Sequence, residues 1–174
     1  MESREKILLY TDGAASGNPG PGGWGVVLKC GSLRKEMSGG FARTTNNRME
    51  LLAVIEGLRA IRWDNAEVDV WSDSTYVVKS VTEGWLDNWI RKSWKKVKNV
   101  DLWQEFLPLY RSHRVTFHWL KGHAGHPENE RCDALAVEAY KRSDLPEDAG
   151  YATSGEAQIP GLECAPEPEG GLFE

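Results

Sequence analysis

The apolar residues of this chain change their period near Met49, and that change limits the possible folds more than any other feature. Before it, residues 6–12, 24–30 and 33–41 read as strands that glycine-rich or tight turns separate. After it, apolar residues fall at the i, i+3, i+4, i+7 spacing of one helix face. These residues are Leu51, Val54, Ile55, Leu58 and Ile61. The pattern predicts an antiparallel meander of three strands that leads into a helix.

A second group of predicted elements sets the connectivity of the chain. Residues 66–72 alternate again, and a strand, a helix and a strand in this order predict a right-handed parallel crossover. The rest of the pattern predicts two helices, a fifth strand and a last helix that begins at Pro127. These elements span 74–83, 101–110, 115–119 and 127–142. We therefore expect one α/β domain with a mixed sheet.

The C-terminal residues differ from the rest of the chain in composition. Residues 144–174 hold eight of the 26 acidic residues, four Pro, five Gly and no Lys or Arg. The preceding residues then carry 21 basic against 18 acidic side chains, so the acidic total still allows a polyanionic partner. We expect regular structure to end near Asp144. We place the domain at residues 1–151 and an acidic, disordered tail at 152–174.

Cysteine usage and the lack of long apolar runs indicate the cellular compartment. The three cysteines, Cys30, Cys132 and Cys164, are odd in number and lack the C-x-x-C spacing of thiolate zinc sites. No apolar run reaches the roughly 18 residues that a transmembrane helix needs, and residues 1–6 form no signal segment. We expect a monomeric protein of a reducing cytoplasm, without membrane contact.

Four acidic residues occupy positions where the predicted elements would bring them together. Asp12 ends the first strand and Asp73 ends the fourth, and a parallel crossover places those strands side by side. Glu50 lies in the first turn of the crossover helix, and Asp133 lies about one turn into the last helix. Each acid alone could equally be a helix cap or a solvated residue, so the interpretation depends on their joint placement.

A cluster of four carboxylates requires a cation. Two carboxylates about 4 Å apart repel by roughly 4 kcal/mol at an effective dielectric constant near 20, so several such pairs would rival the stability of a whole domain. Oxygen ligands without thiolates favour Mg²⁺ or Mn²⁺ over zinc. Several carboxylates can hold two such ions about 3.5 to 4 Å apart, which suits phosphodiester cleavage.

Five blocks of the sequence are long enough to identify a family. They are YTDG at 10–13, GNPGPGG at 17–23, TTNNRMEL at 44–51, SDS at 72–74 and KGHAGHPENERCD at 121–133. In this order, over about residues 6–151, the chain closely resembles type 1 ribonuclease H of the bacterial kind. The resemblance implies the ribonuclease H-like fold, a five-stranded mixed sheet flanked by helices.

The resemblance also implies an activity and its catalytic residues. Asp12, Glu50, Asp73 and Asp133 match the metal-binding acids of the family, with two Mg²⁺ ions as cofactor and Mn²⁺ as a substitute. The implied activity is endonucleolytic hydrolysis of the RNA strand of RNA/DNA hybrids, which leaves 5′-phosphate and 3′-hydroxyl ends. His123, in a Gly-flanked loop, matches the family histidine that moves protons or helps product departure, a role that suits imidazole.

Residues near the second and third blocks are candidates for substrate contact. Asn18, Asn46 and Asn47 offer short amides to minor-groove edges and RNA 2′-hydroxyls, and the match to the family supports such contacts. One of the adjacent asparagines could instead cap the helix. Arg43 and Thr45 match a family pocket for a phosphate of the DNA strand.

Residues 89–98 form a basic stretch that contains five cations and no acid. Cations between indoles suit a phosphate backbone, although such a stretch could also be only a solvated surface or part of a small core. The residues that we assign to nucleic acid here are Arg91, Lys92, Trp94, Lys95, Lys96 and Lys98. The family has a basic protrusion at this place, and Trp85 matches a DNA-contacting tryptophan. The loop after Trp94 is shorter than in familiar members, and Thr75 and Ala15 replace a common glutamine and cysteine.

Two other functions compete with this interpretation. One is another nuclease or strand-transfer domain of the same superfold, which the TTNNRME residues at 44–50 and the block at 121–133 argue against. The other is a catalytically inactive hybrid-binding module, which the complete set of acids argues against. Residues 152–174 could bind a weak protein partner, compete with nucleic acid for the basic stretch, or be an inert extension.

Overall fold

The protein contains one five-stranded sheet with helices on both faces, in a computed structural model that describes residues 4–154 of the 174. In chain order the elements are β1 (Ile7–Ala15), β2 (Gly20–Cys30), β3 (Leu33–Thr44), α1 (Asn46–Arg59), β4 (Glu67–Ser72), α2 (Thr75–Thr82), α3 (Trp85–Arg91), α4 (Val100–Arg111), β5 (Arg114–Trp119), α5 (Pro127–Tyr140) and α6 (Ala149–Ala152). None of the helices in this part of the chain has the length and apolarity needed to cross a membrane.

The strands form a mixed sheet in the order β3-β2-β1-β4-β5. β1, β2 and β3 pair as an antiparallel meander, in which Asp12 lies opposite Gly25. β4 runs parallel to both β1 and β5. The predicted fold class is therefore confirmed, and the carboxyl ends of β1 and β4 meet at one edge of the sheet.

Helices pack on the two faces of the sheet. On one face, α1 packs against β1 and β2, and the core includes Leu9, Val26 and Val70. On the other face, α5 packs against β2 through a smaller cluster that includes Val27 and Leu135. The adjacent residues Val26 and Val27 point to opposite faces, as the alternation of a strand requires. The sheet therefore separates α1 from α5.

Two glycines of β2 let α5 lie close to the sheet. A Cβ atom on Gly23 would lie 2.2 Å from the carbonyl oxygen of Ala136, and one on Gly25 would lie 2.2 Å from that of Cys132. Gly25 also lies opposite Asp12 in the β1–β2 pair. The close approach at Gly25 therefore brings the first half of α5 against the strand that carries Asp12.

The expected end of regular structure near Asp144 is wrong. α6 spans Ala149–Ala152, and Asp148 caps it by accepting a hydrogen bond from the backbone N–H of Tyr151 at 3.2 Å. Asp148 is buried, and its carboxylate accepts a hydrogen bond from the guanidinium group of Arg48 on α1, which offsets the cost of burying the charge. Most of the predicted tail, residues 155–174, lies outside the described residues. The boundary at residue 152 and a protein partner for the tail therefore stay predictions.

Candidate active site

Three carboxylates lie together at the edge of the sheet where β1 and β4 end. Asp12 belongs to β1, Asp73 follows β4, and Glu50 lies just past the first turn of α1. Each offers an oxygen that lies within 4.8 Å of an oxygen of the other two. The convergence follows from the topology, because β1 and β4 are parallel neighbours and α1 packs across β1.

The fourth acid of the predicted set lines the same cleft from α5. Asp133 shares this cleft with the three carboxylates and with His123. Within residues 4–154, its carboxylate does not belong to the group whose oxygens lie within 4.8 Å of one another. The structure therefore brings three of the four acids into contact distance of one ion and places Asp133 at the wall of the cleft.

Glu50 is held by the backbone of β1. The N–H of Gly13 donates a hydrogen bond to Glu50 Oε1 at 3.1 Å. The contact needs glycine, because a Cβ atom on residue 13 would lie 2.3 Å from the backbone nitrogen of Glu50. The other oxygen, Oε2, is buried and has no hydrogen-bond partner within the part of the chain that the structure describes. A buried carboxylate oxygen without a partner is unfavourable, so Glu50 requires a proton or a cation.

Burial raises the pKa of all three carboxyl groups, and repulsion between carboxylates adds to it. The pKa of Asp12 rises to about 8, mainly because of burial and then because of the negative charge of Asp73. Burial, followed by repulsion from Asp12, raises the pKa of Glu50 well above its ordinary value. Burial also raises the pKa of Asp73. Without a counter-ion, the group therefore ionises only at a cost in free energy.

The carboxylate group fits a hard divalent cation. All of its ligand atoms are carboxylate oxygens, which Mg²⁺ and Mn²⁺ prefer over softer ligands. The unpartnered Oε2 of Glu50 supplies lone pairs that no protein donor uses among the described residues. A bound cation would offset the repulsion and let the carboxyl groups ionise near neutral pH. Asp12, Glu50 and Asp73 can thus hold a divalent metal ion.

The loop after β5 brings a histidine to the cleft. His123 is exposed, lines the cleft, and has a φ of 56°, in the left-handed region that non-glycine residues rarely adopt. The neighbouring Gly122 lies so close to Asp73 that a Cβ atom on it would be 2.5 Å from Asp73 Oδ2. The loop is therefore packed against Asp73, with the imidazole at the edge of the carboxylate group.

Amide side chains border the cleft next to β1. Asn46 Oδ1 accepts a hydrogen bond from the N–H of Ala15 at 2.7 Å, and the N–H of Asn46 donates to Asn18 Oδ1 at 3.1 Å. Asn46 is exposed and Asn47 is buried, and both line the cleft. The backbone bonds to the amide oxygens orient the NH₂ groups of Asn18 and Asn46 as donors.

Thr45, not an asparagine, caps α1. Thr45 Oγ1 accepts a hydrogen bond from the N–H of Arg48 at 3.3 Å, and the residue is buried. The alternative that one of the two asparagines caps the helix is therefore wrong. Arg43, which we assigned with Thr45 to a phosphate, is exposed, and its guanidinium carbon lies 5.5 Å from the ring centroid of Tyr151.

The basic stretch forms the end of α3 and the irregular segment after it. Trp89 is buried, and Trp85 and Trp94 pack against the core, so these indoles also serve the core. Three residues between 92 and 98 have positive φ values. The exposed cations are Arg91, Lys92, Lys95, Lys96 and Lys98. The end of α3 and the irregular segment after it are anchored by tryptophans and present five cations to solvent.

Several residues near the carboxylates are not predicted from the sequence. Ser74 and Tyr76 line the cleft, and Ser74 Oγ caps α2 by accepting a hydrogen bond from the N–H of Val77 at 3.2 Å. Trp119 Nε1 donates to the carbonyl oxygen of Asp73 at 3.0 Å, across 46 residues of sequence. The SDS block was a signal for Ser74, whereas no sequence pattern links Trp119 to Asp73.

Comparison with known proteins gives one family. The family model of RNase H matches residues 4–141. A ribonuclease H of Nitratidesulfovibrio vulgaris (strain DP4) is 51% identical over 154 residues, which cover 86% of this chain and 98% of that protein. A ribonuclease H of Trichodesmium erythraeum (strain IMS101) is 50% identical over 155 residues, which also cover 86% of this chain and 98% of that protein.

Solved structures give the same result. LC9-RNase H1, described as a type 1 RNase H with the type 2 active-site motif, superposes with a TM-score of 0.74 at 30% identity and covers 91% of this chain and 85% of that chain. LC11-RNase H1, solved in complex with an RNA/DNA hybrid, superposes with a TM-score of 0.58 at 29% identity. This second superposition covers 78% of this chain and 97% of that chain.

Proposed function

Because the chain belongs to the ribonuclease H family and is therefore a nuclease, we propose that it cuts the RNA strand of RNA/DNA hybrids. The proposed reaction is endonucleolytic hydrolysis with two metal ions, and its products carry 5′-phosphate and 3′-hydroxyl ends. The likeness to LC11-RNase H1, whose structure contains an RNA/DNA hybrid, supports this substrate.

One observation carries the proposal: three buried or partly buried carboxylates converge on one cleft of the family fold, and the pKa values of all three are raised. Asp12, Glu50 and Asp73 would hold Mg²⁺, or Mn²⁺ in its place, and Asp133 would take part from the α5 side. When bound, the ions would supply an activated water and offset charge on the leaving oxygen. The hydrogen bond from Gly13 fixes Glu50 for this task.

The contacts with substrate would divide between the two strands. Asn18, Asn46 and Asn47, beside the carboxylates, would bind the RNA strand through 2′-hydroxyls and minor-groove edges. Arg43, an exposed residue, and Thr45, which caps α1, would bind a phosphate of the DNA strand. The basic stretch, together with Trp85, would bind the DNA strand farther from the carboxylates.

An assay on three labelled duplexes tests the proposed function. With RNA/DNA, RNA/RNA and DNA/DNA duplexes, we expect cleavage of the RNA/DNA hybrid alone, with Mg²⁺ or Mn²⁺ and not with a chelator. The fragments should be ligated through their 5′-phosphates and extended from their 3′-hydroxyls. Cleavage of the other duplexes would indicate a different nuclease of the superfold, and binding without cleavage would indicate an inactive hybrid-binding module.

Substitution of His123 by alanine should lower the turnover number by roughly 10- to 1000-fold, because a proton-handling group at the cleft edge is lost. Hybrid affinity, measured by anisotropy with Ca²⁺ in place of Mg²⁺, should stay nearly unchanged. His126→Ala, in the same loop, is the matched control and should keep most of the activity. Weaker binding of Mg²⁺ to His123→Ala, measured by calorimetry, would instead make His123 a metal ligand.

Substitution of Lys95, Lys96 and Lys98 by alanine should weaken hybrid binding, because each cation that contacts a phosphate releases counterions on binding. The slope of log affinity against log salt concentration should flatten by up to about 0.9 for each lost contact. A control that removes three other exposed cations, Lys35, Lys141 and Arg142, has the same net charge and should keep the slope. An unchanged slope in the first variant would mean that the stretch is only a solvated surface.

A further inference from the structure

The peptide unit between Asp73 and Ser74 is held at both of its polar ends by side chains. Trp119 Nε1 donates a hydrogen bond to the carbonyl oxygen of Asp73 at 3.0 Å. Ser72 Oγ accepts a hydrogen bond from the N–H of Ser74 at 3.0 Å. Because this carbonyl and this N–H belong to one planar unit, the two side chains together fix its rotation.

The chain passes here from a strand to a helix, so within residues 4–154 the carbonyl of Asp73 has no backbone donor from either element. The carbonyl oxygen of Ser72 accepts from the N–H of Leu120 at 3.0 Å, which continues the pairing of β4 with β5. The carbonyl oxygen of Ser74 accepts from the N–H of Val78 at 3.1 Å, which begins the hydrogen bonding of α2. The carbonyl of Asp73 lies between these two patterns, and the indole of Trp119 supplies its donor.

Burial does not explain the position of Trp119. Trp119 ends β5 opposite Ser72, and it is 51% exposed. Only one other large apolar side chain between residues 4 and 154, that of Leu33, is exposed. A tryptophan that stays half in solvent gains little from packing, whereas its N–H group makes a defined bond to the backbone of Asp73.

We infer that Trp119 and Ser72 are positioning residues that set the orientation of Asp73 toward Asp12 and Glu50. Rotation of the 73–74 peptide must be taken up by the backbone angles on either side, including those of Asp73, and so displaces its carboxylate. A displacement of about 1 Å in a catalytic group can cost up to about 100-fold in rate. The inference rests on the proposed function, because it assumes that Asp73 is a metal ligand.

Substitution of Trp119 by phenylalanine tests the inference, because phenylalanine keeps an aromatic ring and removes the N–H donor. We expect the kcat for hybrid cleavage to fall about 3- to 10-fold while KM stays within about twofold. The Kd for Mg²⁺, measured by calorimetry on the substrate-free protein, should rise by a similar factor. The melting temperature should change by no more than about 2 °C.

Two further variants separate positioning from general damage. Ser72→Ala removes the other bond to the same peptide, so its effect and that of Trp119→Phe should combine to less than the product of the two. Trp63→Phe is the matched control, because Trp63 lies before β4, at the opposite end from Asp73, with the Arg4 guanidinium over its ring. It should change neither kcat nor Mg²⁺ affinity.

The inference is overturned if Trp119→Phe keeps the kcat and the Mg²⁺ affinity of the wild-type protein. A change in KM alone would make Trp119 a substrate contact, and an equal loss in Trp63→Phe would point to general damage; both outcomes also overturn it. If the wild-type protein fails to cleave the hybrid, the proposed function fails, and the Mg²⁺ titrations still decide the inference separately.

Discussion

Replacement of Asp12 by asparagine is expected to lower hybrid cleavage by more than about 1000-fold at saturating Mg²⁺, in a protein that stays folded. The asparagine side chain would keep the size of the aspartate and lose the negative charge that a divalent cation needs. Asp12 shares the metal-binding group with Glu50 and Asp73, so the other two carboxylates alone would hold the ion more weakly. The measurement is kcat on a labelled hybrid, with circular dichroism to check the fold.

The same substitution should stabilise the metal-free protein, and more so as the pH rises. The pKa of Asp12 is about 8 in the folded protein and near 3.8 in the unfolded chain, so the folded state holds its proton more tightly. The wild-type protein without metal therefore loses stability as the pH rises from about 4 to about 8, whereas the Asp12→Asn protein lacks this loss. In a chelator at pH 8, we expect its melting temperature to be roughly 5 °C higher, with a smaller difference at pH 5.

Asp64→Asn is the control for both measurements, because Asp64 is an exposed aspartate outside the cleft. It should leave cleavage and melting temperature nearly unchanged. Substantial activity of Asp12→Asn at saturating Mg²⁺ would remove Asp12 from the metal site. Equal melting temperatures for Asp12→Asn and wild type at pH 8 would contradict the argument that buried repulsion destabilises the metal-free protein.

The contact among Asp12, Glu50 and Asp73 could be predicted because local patterns locate the ends of strands and the start of a helix. The helix α1 joins β3 to β4 as a parallel crossover, and because β4 pairs with β1 at the inner side of the meander, the ends of β1 and β4 come together. The distance of Asp133 from the other three acids depends in addition on how closely α5 lies to β2, which no sequence pattern gives. The separation of α5 and β2 is set by Gly23 and Gly25, whose role appears only in the packed structure.

The burial of Asp148 and the cap of α1 depend on individual side-chain contacts. The spacing of apolar residues along the sequence does not predict such contacts. Asp148 belongs to the acid-rich residues 144–174, yet it lies buried against Arg48, 100 residues earlier. The sequence also does not select the residue that caps α1, because Thr45 and the two asparagines after it are all good capping residues. The extended backbone at Thr45 makes that residue the cap.

Replacement of Arg48 by methionine is expected to be the most destabilising of these substitutions. The Arg48 guanidinium binds both carboxylate oxygens of Asp148, at 2.8 and 3.0 Å, and both of Asp101, at 2.8 and 2.7 Å. The side chains of Arg48 and Asp148 are 4% and 7% exposed, so methionine would leave a buried carboxylate without its cation. Removal of one partner of such a pair costs about 3–5 kcal/mol. The melting temperature should fall by roughly 10 °C.

The hydrogen bonds of Arg48 join three segments that are far apart in sequence. Loss of Arg48 should therefore destabilise the whole domain. Arg48 lies on α1, Asp101 on α4 and Asp148 before α6, and Asp148 also accepts a hydrogen bond from Thr44 Oγ1 at 2.6 Å. Arg48→Met should therefore lower the free energy of unfolding without altering hybrid cleavage by more than about tenfold at temperatures well below unfolding.

Two further variants test whether the buried, unpaired charge of Asp148 causes the destabilisation by Arg48→Met. Arg59→Met removes an arginine whose carboxylate partners, Glu56 and Glu105, are more exposed, and it should cost less than about 1 kcal/mol. Addition of Asp148→Asn to Arg48→Met should restore at least about 1 kcal/mol, because the double variant no longer buries an unpaired charge. The double variant could instead be less stable than Arg48→Met, because Asp148→Asn removes further hydrogen bonds. That result would mean that lost hydrogen bonds, and not an unpaired buried charge, cause the destabilisation by Arg48→Met. In that case Asp148 would be held mainly by Thr44 and the N–H of Tyr151.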